Sequence, residues 1–343
     1  GGRDSNPWIH VPVGYFKTIG NPKTDWCYVT QQDPGLNGRK IPWPRGRVLG
    51  GSSSINGLLY VRGQPLDFNH WRQLGNAGWG WDDVLPYFKR SENWEGQNTD
   101  SKFRGKDGPL SVSSTTLKRD VVDKWISAAV AAGYRETPDY NGVDQEGVGY
   151  FQLTTKKGRR CSSAVAYLNP ARGRKNLTIF THMQVEKLLI EDGRVTGVKA
   201  KHKGRSMRLN AKQEVILSAG AIGSPQILML SGIGDSDELG AVGITTQNHL
   251  PGVGKNLQDH LQARPIFKTN LSTINIETRN YFKRAIIGLQ YLLRQTGPMT
   301  MAASLGTGFL NTDSRQETPD IQFHIQPFSA NSAIGGAHSF SAF

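Results

Sequence analysis

Gly46-Arg47-Val48-Leu49-Gly50-Gly51-Ser52-Ser53-Ser54-Ile55-Asn56-Gly57 is the stretch on which the reading of this 343-residue chain turns. Gly50 and Gly51 remove side chains where the backbone must turn tightly and come close to another group. Ser52, Ser53, Ser54 and Asn56 add hydroxyls and an amide to a cluster of backbone N–H donors. Such a loop can wrap a polar, anionic cofactor without using a charged side chain. Taken alone, the same residues also fit a serine-capped turn that leads into a helix. The flanks separate the two readings.

Upstream, residues 38–45 read Gly-Arg-Lys-Ile-Pro-Trp-Pro-Arg and run straight into the glycines. Downstream come Leu58-Leu59-Tyr60-Val61-Arg62-Gly63, then Asp67-Phe68 and Trp71. A second block spans residues 220–234, Gly-Ala-Ile-Gly-Ser-Pro-Gln-Ile-Leu-Met-Leu-Ser-Gly-Ile-Gly. A third, Leu-Pro-Gly-Val-Gly-Lys-Asn-Leu-Gln-Asp-His, spans 250–260. In this order the blocks resemble signatures of the glucose–methanol–choline (GMC) family of FAD-dependent oxidoreductases. In detail they look most like its bacterial alcohol and choline dehydrogenases.

The resemblance implies an α/β fold with an α+β substrate part. Its components are an FAD-binding dinucleotide-type domain lacking its N-terminal βαβ unit and an antiparallel-sheet substrate domain. Residues 1–68 and 165–262 are expected in the first, and 69–164 and 263–343 in the second, both incomplete. FAD is expected to lie across residues 46–59. The cofactor-binding positions carried over are Val48, Gly51, Ser52, Asn56, Gly57, Leu58, Leu59 and Val185. Asn56 is expected to bond the polar edge of the isoalloxazine, and Leu58-Leu59 to keep water off the ring. Val185 matches a family position that touches the adenine end through its backbone; on the residues alone it is a strand valine. Asp259 and His260 match a family motif that returns toward the flavin domain and are read as structural caps.

Catalysis in the family takes a hydroxyl proton from an alcohol and passes hydride from its carbon to flavin N5. A neutral histidine suits the proton because its pKa lies near working pH. None of His10, His70, His182, His202, His249, His260, His324 and His338 matches the family's catalytic position, so no catalytic residue is assigned. That histidine and its His or Asn partner are expected beyond Phe343. No GxGxxG occurs, and Gly1-Gly2 look like the tail of the family's Glu-Ala-Gly-Gly segment. The chain reads as an internal fragment of a larger enzyme.

Composition fits a loop-rich α/β protein, with 37% hydrophobic residues and 40 glycines. No apolar run approaches the ~20 residues needed to cross a bilayer. Lys and Arg number 41 against 28 acids, for a formal charge of +13. These cations are scattered (Lys156-Lys157, Arg159-Arg160, Arg172 and Arg174, Lys199 to Arg208), which reads as a solvated surface. Attraction to an anionic membrane or acidic partner is the other reading. No nucleic-acid motif accompanies the charge. Cys27 and Cys161 form no CxxC pair and fit a reducing compartment. The cytoplasm is expected, with any contact at the inner membrane peripheral. Walker A, GxSxG and HExxH motifs are absent, so no metal site is expected.

Helical periodicity is expected over 78–92, burying Val84, Leu85 and Phe88, and over 119–132, burying Val122, Trp125, Ile126 and Ala129 before Gly133 stops it. Strands are expected at 150–155, 177–181, 185–190, 195–201, 206–209 and 214–218, with Asp192-Gly193 as a tight hairpin. Ser224 is expected to cap a helix with Pro225 at its first position. Residues 280–294 place Phe282, Ile286, Leu289 and Leu293 on one face, read as core-packing, with a membrane-surface helix as the alternative. In the 320–327 strand, Gln322, His324 and Gln326 share a face that is either solvated or lines a substrate cavity.

The function expected is FAD-dependent oxidation of a small alcohol to an aldehyde, by a dehydrogenase in preference to an oxidase. A quinone or another acceptor would take the electrons. No cage for a quaternary ammonium is identifiable, so choline has no advantage over aliphatic or aromatic primary alcohols. The alternative is a non-catalytic binding protein that keeps the family's sheet without FAD.

Overall fold

The two-residue period of the 183–210 region folds into a three-stranded antiparallel sheet. Met183–Glu191, Arg194–His202 and Arg205–Asn210 are paired consecutively, with the second strand central. Asp192 and Gly193 both take positive φ, +50° and +74°, as a two-residue hairpin that continues the strand twist requires. The computed structural model describes residues 1–96, 100, 102–329 and 338–343. Within them, residues 178–261 with Gly1 form one unit, and residues 2–177 with 262–343 form another.

In the first unit, the helix Gly220–Leu230 is joined to the sheet through Ser231, whose Oγ accepts the Leu188 N–H at 2.8 Å. This helix begins earlier than its sequence suggests. Ala219 is the N-cap, and Ser224 Oγ accepts the Ala219 N–H at 3.0 Å, which leaves Pro225 inside the helix. Proline is tolerated there at the cost of one backbone hydrogen bond. Gly232, at φ +83°, ends the helix as expected. Two expected strands do not form. Residues 177–181 and 214–218 have no ladder partner among the described residues, and Ile216 is 79% exposed. A strand exists only through its neighbour's hydrogen bonds, and alternation cannot supply one.

The second unit is built on a five-stranded antiparallel sheet. Its spatial order is Ile266–Lys268, Ser339–Ala342, Ile321–Gln326, Gly306–Leu310, Gly147–Tyr150. The helix Asp120–Ala131 covers one face. Val121, Val122 and Ile126 join Val148, Leu310 and Ile325 in the main core, and Trp125 packs on Phe323. Gly306 and Gly308 permit this approach, since a Cβ on either would lie 2.8 Å from Val122 Cγ1 or 3.0 Å from the Trp125 ring. On the other face a second cluster gathers Leu58, Tyr140, Phe151, Leu153, Ala302 and Phe309. Strand alternation therefore sets the 46–59 loop against the sheet face that the helix leaves free.

Two helices bury less than their periodicity implies. Trp81–Ser91 has no fully buried residue, so Val84, Leu85 and Phe88 are only half-buried. In Tyr281–Arg294 the supposed core stripe points outward: Phe282 is 74% exposed, Ile286 50%, Leu289 56% and Leu293 74%. The helix docks by Tyr291 instead, which is buried and donates its hydroxyl to Gly158 O at 3.1 Å. Amphipathicity reports that an apolar face exists, and not what covers it. Among the described residues no helix is long and apolar enough to cross a membrane.

Candidate functional site

Three glycines shape the 46–59 loop in different ways. A Cβ on Gly46 would fall 2.1 Å from Gly51 O, and one on Gly50 2.3 Å from Ser54 Oγ, so both positions let the chain fold tightly on itself. Gly51, at φ +54°, has nothing within 4 Å of its Cβ direction. There the backbone faces open space. Gly51–Ser54 forms one 3-10 turn, with the Gly51 N–H on Val48 O and the Asn56 N–H on Ser52 O, both at 2.8 Å. Val48 packs with Ile9 and Ile55 beneath it.

The serines divide by task. Ser54 Oγ donates to Leu49 O at 2.7 Å and Ser53 Oγ to Gly50 O at 2.6 Å, so both hydroxyls staple the loop to itself. Ser52 is exposed and accepts the Gly46 N–H at 3.1 Å, which leaves its hydroxyl hydrogen available to a ligand.

After the turn the chain enters the core. A Cβ on Gly57 would lie 2.4 Å from Ala303 Cβ, and Gly57 O accepts the Ala303 N–H at 3.1 Å. Leu58 adopts φ +65° although it is fully buried, a conformation costing about 1–2 kcal/mol for an L-residue. Two bonds to its carbonyl, from the Thr154 N–H at 2.9 Å and Thr154 Oγ1 at 3.2 Å, hold it there. Its side chain is thus part of the sheet-face cluster, and Leu59 packs beside it.

Opposite Ala303, Gln326 Nε2 donates to Ala303 O at 2.6 Å. The His324 ring stacks on Phe343 at 5.2 Å and lies 5.0 Å from Phe151. His324 is therefore packed between aromatic rings and Gln326 is tied to the Ala303 backbone, and the solvated alternative does not hold for these two.

A residue passed over as surface charge anchors the loop. Arg160 is only 2% exposed. Its Nε donates to Ile9 O at 2.8 Å, Nη1 to Asn56 Oδ1 at 2.7 Å and Ser53 O at 3.0 Å, and Nη2 to Asn56 O at 2.8 Å. The Lys157-Gly158 turn sets it opposite Thr155, and directly paired residues share a sheet face. Thr155 is buried, and only the folded hairpin puts Arg160 on that same face.

Arg62 and Arg104 form a second buried cluster that no local sequence signal marks. Glu92, fully buried, pairs with Arg62 at 2.7 Å and Arg104 at 2.8 Å, and Arg104 also reaches Asp139 at 2.8 Å. Arg104 stacks 4.0 Å over the Trp94 ring and donates to Gln152 Oε1 at 2.9 Å. Burial pushes the Tyr140 hydroxyl far above the usual phenol range, so it stays a donor, to Tyr60 O at 3.1 Å. This network fixes the segment that leaves the loop.

The structure therefore gathers Val48, Gly51, Ser52, Asn56, Gly57, Leu58 and Leu59 in one loop. Val185 belongs to the other unit, in the Met183–Glu191 strand opposite Ala200. Asp259 accepts the N–H of His260 at 2.8 Å. Cys27 and Cys161 are both free thiols, and no cluster of metal-ligating side chains occurs among the described residues.

The family model described as GMC oxidoreductase matches residues 14–262. An oxygen-dependent choline dehydrogenase of Staphylococcus saprophyticus is 42% identical over 332 residues, covering 96% of this chain and 59% of that protein. One from Rhizobium rhizogenes is 39% identical over 346 residues, covering 100% of this chain and 62% of that protein. The chain thus spans about three fifths of the length of the curated relatives it matches. Among solved structures, pyridoxine 4-oxidase from Mesorbium loti superposes with a TM-score of 0.85 at 29% identity, covering 100% of this chain and 64% of that one. A formate oxidase at 23% identity shares the fold, with a TM-score of 0.89 over 99% of this chain and 66% of that one.

Proposed function

Because the chain belongs to the GMC oxidoreductase family, we propose that its 46–59 loop holds FAD in a full-length protein that oxidises a primary alcohol to an aldehyde. The observation that carries this reading is the open space at Gly51, set beside a buried cation whose hydrogen bonds all end on neutral oxygens. An anionic nucleotide fits both: a bare backbone lets it approach, and a fixed positive charge attracts it. Bound there, FAD supplies a hydride acceptor at flavin N5.

This chain's own residues hold and shield. Gly51 admits the cofactor against backbone, Ser52 and Asn56 donate to it, and Gly57-Leu58 fix the loop on Ala303 and Thr154. The buried Leu58 and half-buried Leu59 close the loop's underside to water. The family resemblance assigns the adenine end to the backbone of Val185, which belongs to the other unit. In functional terms, residues 1–68 and 165–262 serve the cofactor and 69–164 and 263–343 the substrate. The ring stack of Phe151, His324 and Phe343 lines the substrate side. Arg264, itself exposed, stacks 4.7 Å over the Phe343 ring. Choline, which the relatives' names carry, is not assigned.

Dehydrogenase chemistry needs an electron acceptor, of which a quinone is one class. The protein is placed in the cytoplasm, with peripheral contact at the inner membrane. The outward stripe of the Tyr281–Arg294 helix supports that contact. It is apolar, flanked by Lys283, Arg284 and Arg294, and the helix holds no acid.

An anaerobic dye-reduction assay of the full-length protein tests the function. A panel of primary alcohols, choline among them, should bleach the dye in proportion to bound flavin. A folded, colourless protein that cannot be reconstituted with FAD would instead support a non-catalytic binding role.

A further inference from the structure

Arg160 makes four hydrogen bonds, and each ends on a neutral oxygen of Ile9, Ser53 or Asn56. None of the ion pairs among the described residues involves it. Burial pulls its guanidinium down to about 10, so it is still a cation at neutral pH. A buried charge held by dipoles alone is costly, and neutral donors would secure a loop more cheaply.

Its effect on Asn56 is directional. Guanidinium and backbone N–H groups only donate, so the Asn56 atom between Arg160 Nη1 and the Leu58 N–H, at 2.7 and 3.2 Å, is the oxygen. Asn56 is exposed, and its Nδ2 keeps both hydrogens for something outside the loop.

We propose that Arg160 is a positioning residue of the cofactor site. It turns the Asn56 amide so that Nδ2–H donates into the cradle, and its charge favours an anionic occupant there. This rests on the FAD reading above.

Three variants of the full-length protein test it: Asn56→Asp, Arg160→Lys and Arg160→Met. The readouts are the thermal midpoint of the apoprotein, the FAD dissociation constant and the flavin midpoint potential. Asn56→Asp keeps an oxygen toward Arg160, now as an ion pair, and removes the donor. Its apoprotein should melt at or above the wild-type midpoint while FAD binds about tenfold or more weakly. Arg160→Lys should keep the potential near wild type with weakened binding, and Arg160→Met should lower both affinity and potential. If Asn56 Nδ2 does not donate into the cradle, Asn56→Asp binds FAD as well as wild type, and that result overturns the proposal. Arg160→Met with an unchanged potential overturns its electrostatic half. A wild-type protein without flavin brings down the FAD reading and this inference together, whereas a loaded wild type with an indifferent Asn56→Asp brings down only the inference.

Discussion

Two sites in the second unit bury arginine, and they do it in opposite ways. Arg62 and Arg104 share Glu92, and Arg104 also has Asp139, so their charge is answered inside the protein. Arg160, equally buried, has only carbonyls and an amide. The first arrangement balances its charges within the protein. The second lies under a loop whose Gly51 opens onto empty space, and no carboxylate among the described residues pairs with it; in our proposal that role falls to an anionic ligand. Buried cations that look alike in sequence thus separate into a brace and a binding element by what accepts their protons.

The largest effect should come from breaking the brace. Glu92→Gln leaves two guanidinium groups short of a carboxylate, which costs about 3–5 kcal/mol for a buried pair. Chemical denaturation should show that loss. If Arg160 were a brace of the same kind, Arg160→Met would cost as much stability, and the contrast would collapse.

Gly46→Ala comes next. Its methyl group would collide with the Gly51 carbonyl, 2.1 Å away, so the turn must shift at a cost of about 1–3 kcal/mol. Thermal melting of the apoprotein should fall and FAD binding with it. An unperturbed melt would mean that the close crossing at Gly46 does not shape the loop.

The legibility of the sequence follows the same divide. The 46–59 loop, the Asp192-Gly193 hairpin, the Asp120–Ala131 helix and the Ile321–Gln326 strand could all be read locally, because turn glycines and periodicity act within a few residues. The 177–181 and 214–218 segments could not, since strand formation depends on a distant partner. Nor could Arg62, Arg104 and Arg160. A basic residue in sequence reads as surface, and only the tertiary fold brings Glu92 to two of them and Asn56 to the third. The Tyr281–Arg294 helix shows the converse. Its stripe was visible, and its outward direction was set by Tyr291 docking on Gly158.

The smallest effect on stability should come from that helix. Leu289→Glu on the outward face should change folding stability by no more than about 0.5 kcal/mol. In co-sedimentation with anionic lipid vesicles it should nevertheless remove most binding. Vesicle binding equal to wild type would move any membrane contact elsewhere.

The flavin content of full-length Gly51→Gln bears most directly on the cradle itself. Its Cβ meets nothing within 4 Å, so the chain should fold with only the strain of about 1–2 kcal/mol expected at positive φ. The side chain would then stand where the cofactor is placed. A folded protein that has lost nearly all the flavin wild type carries is the predicted result, and equimolar flavin in the variant would contradict the account.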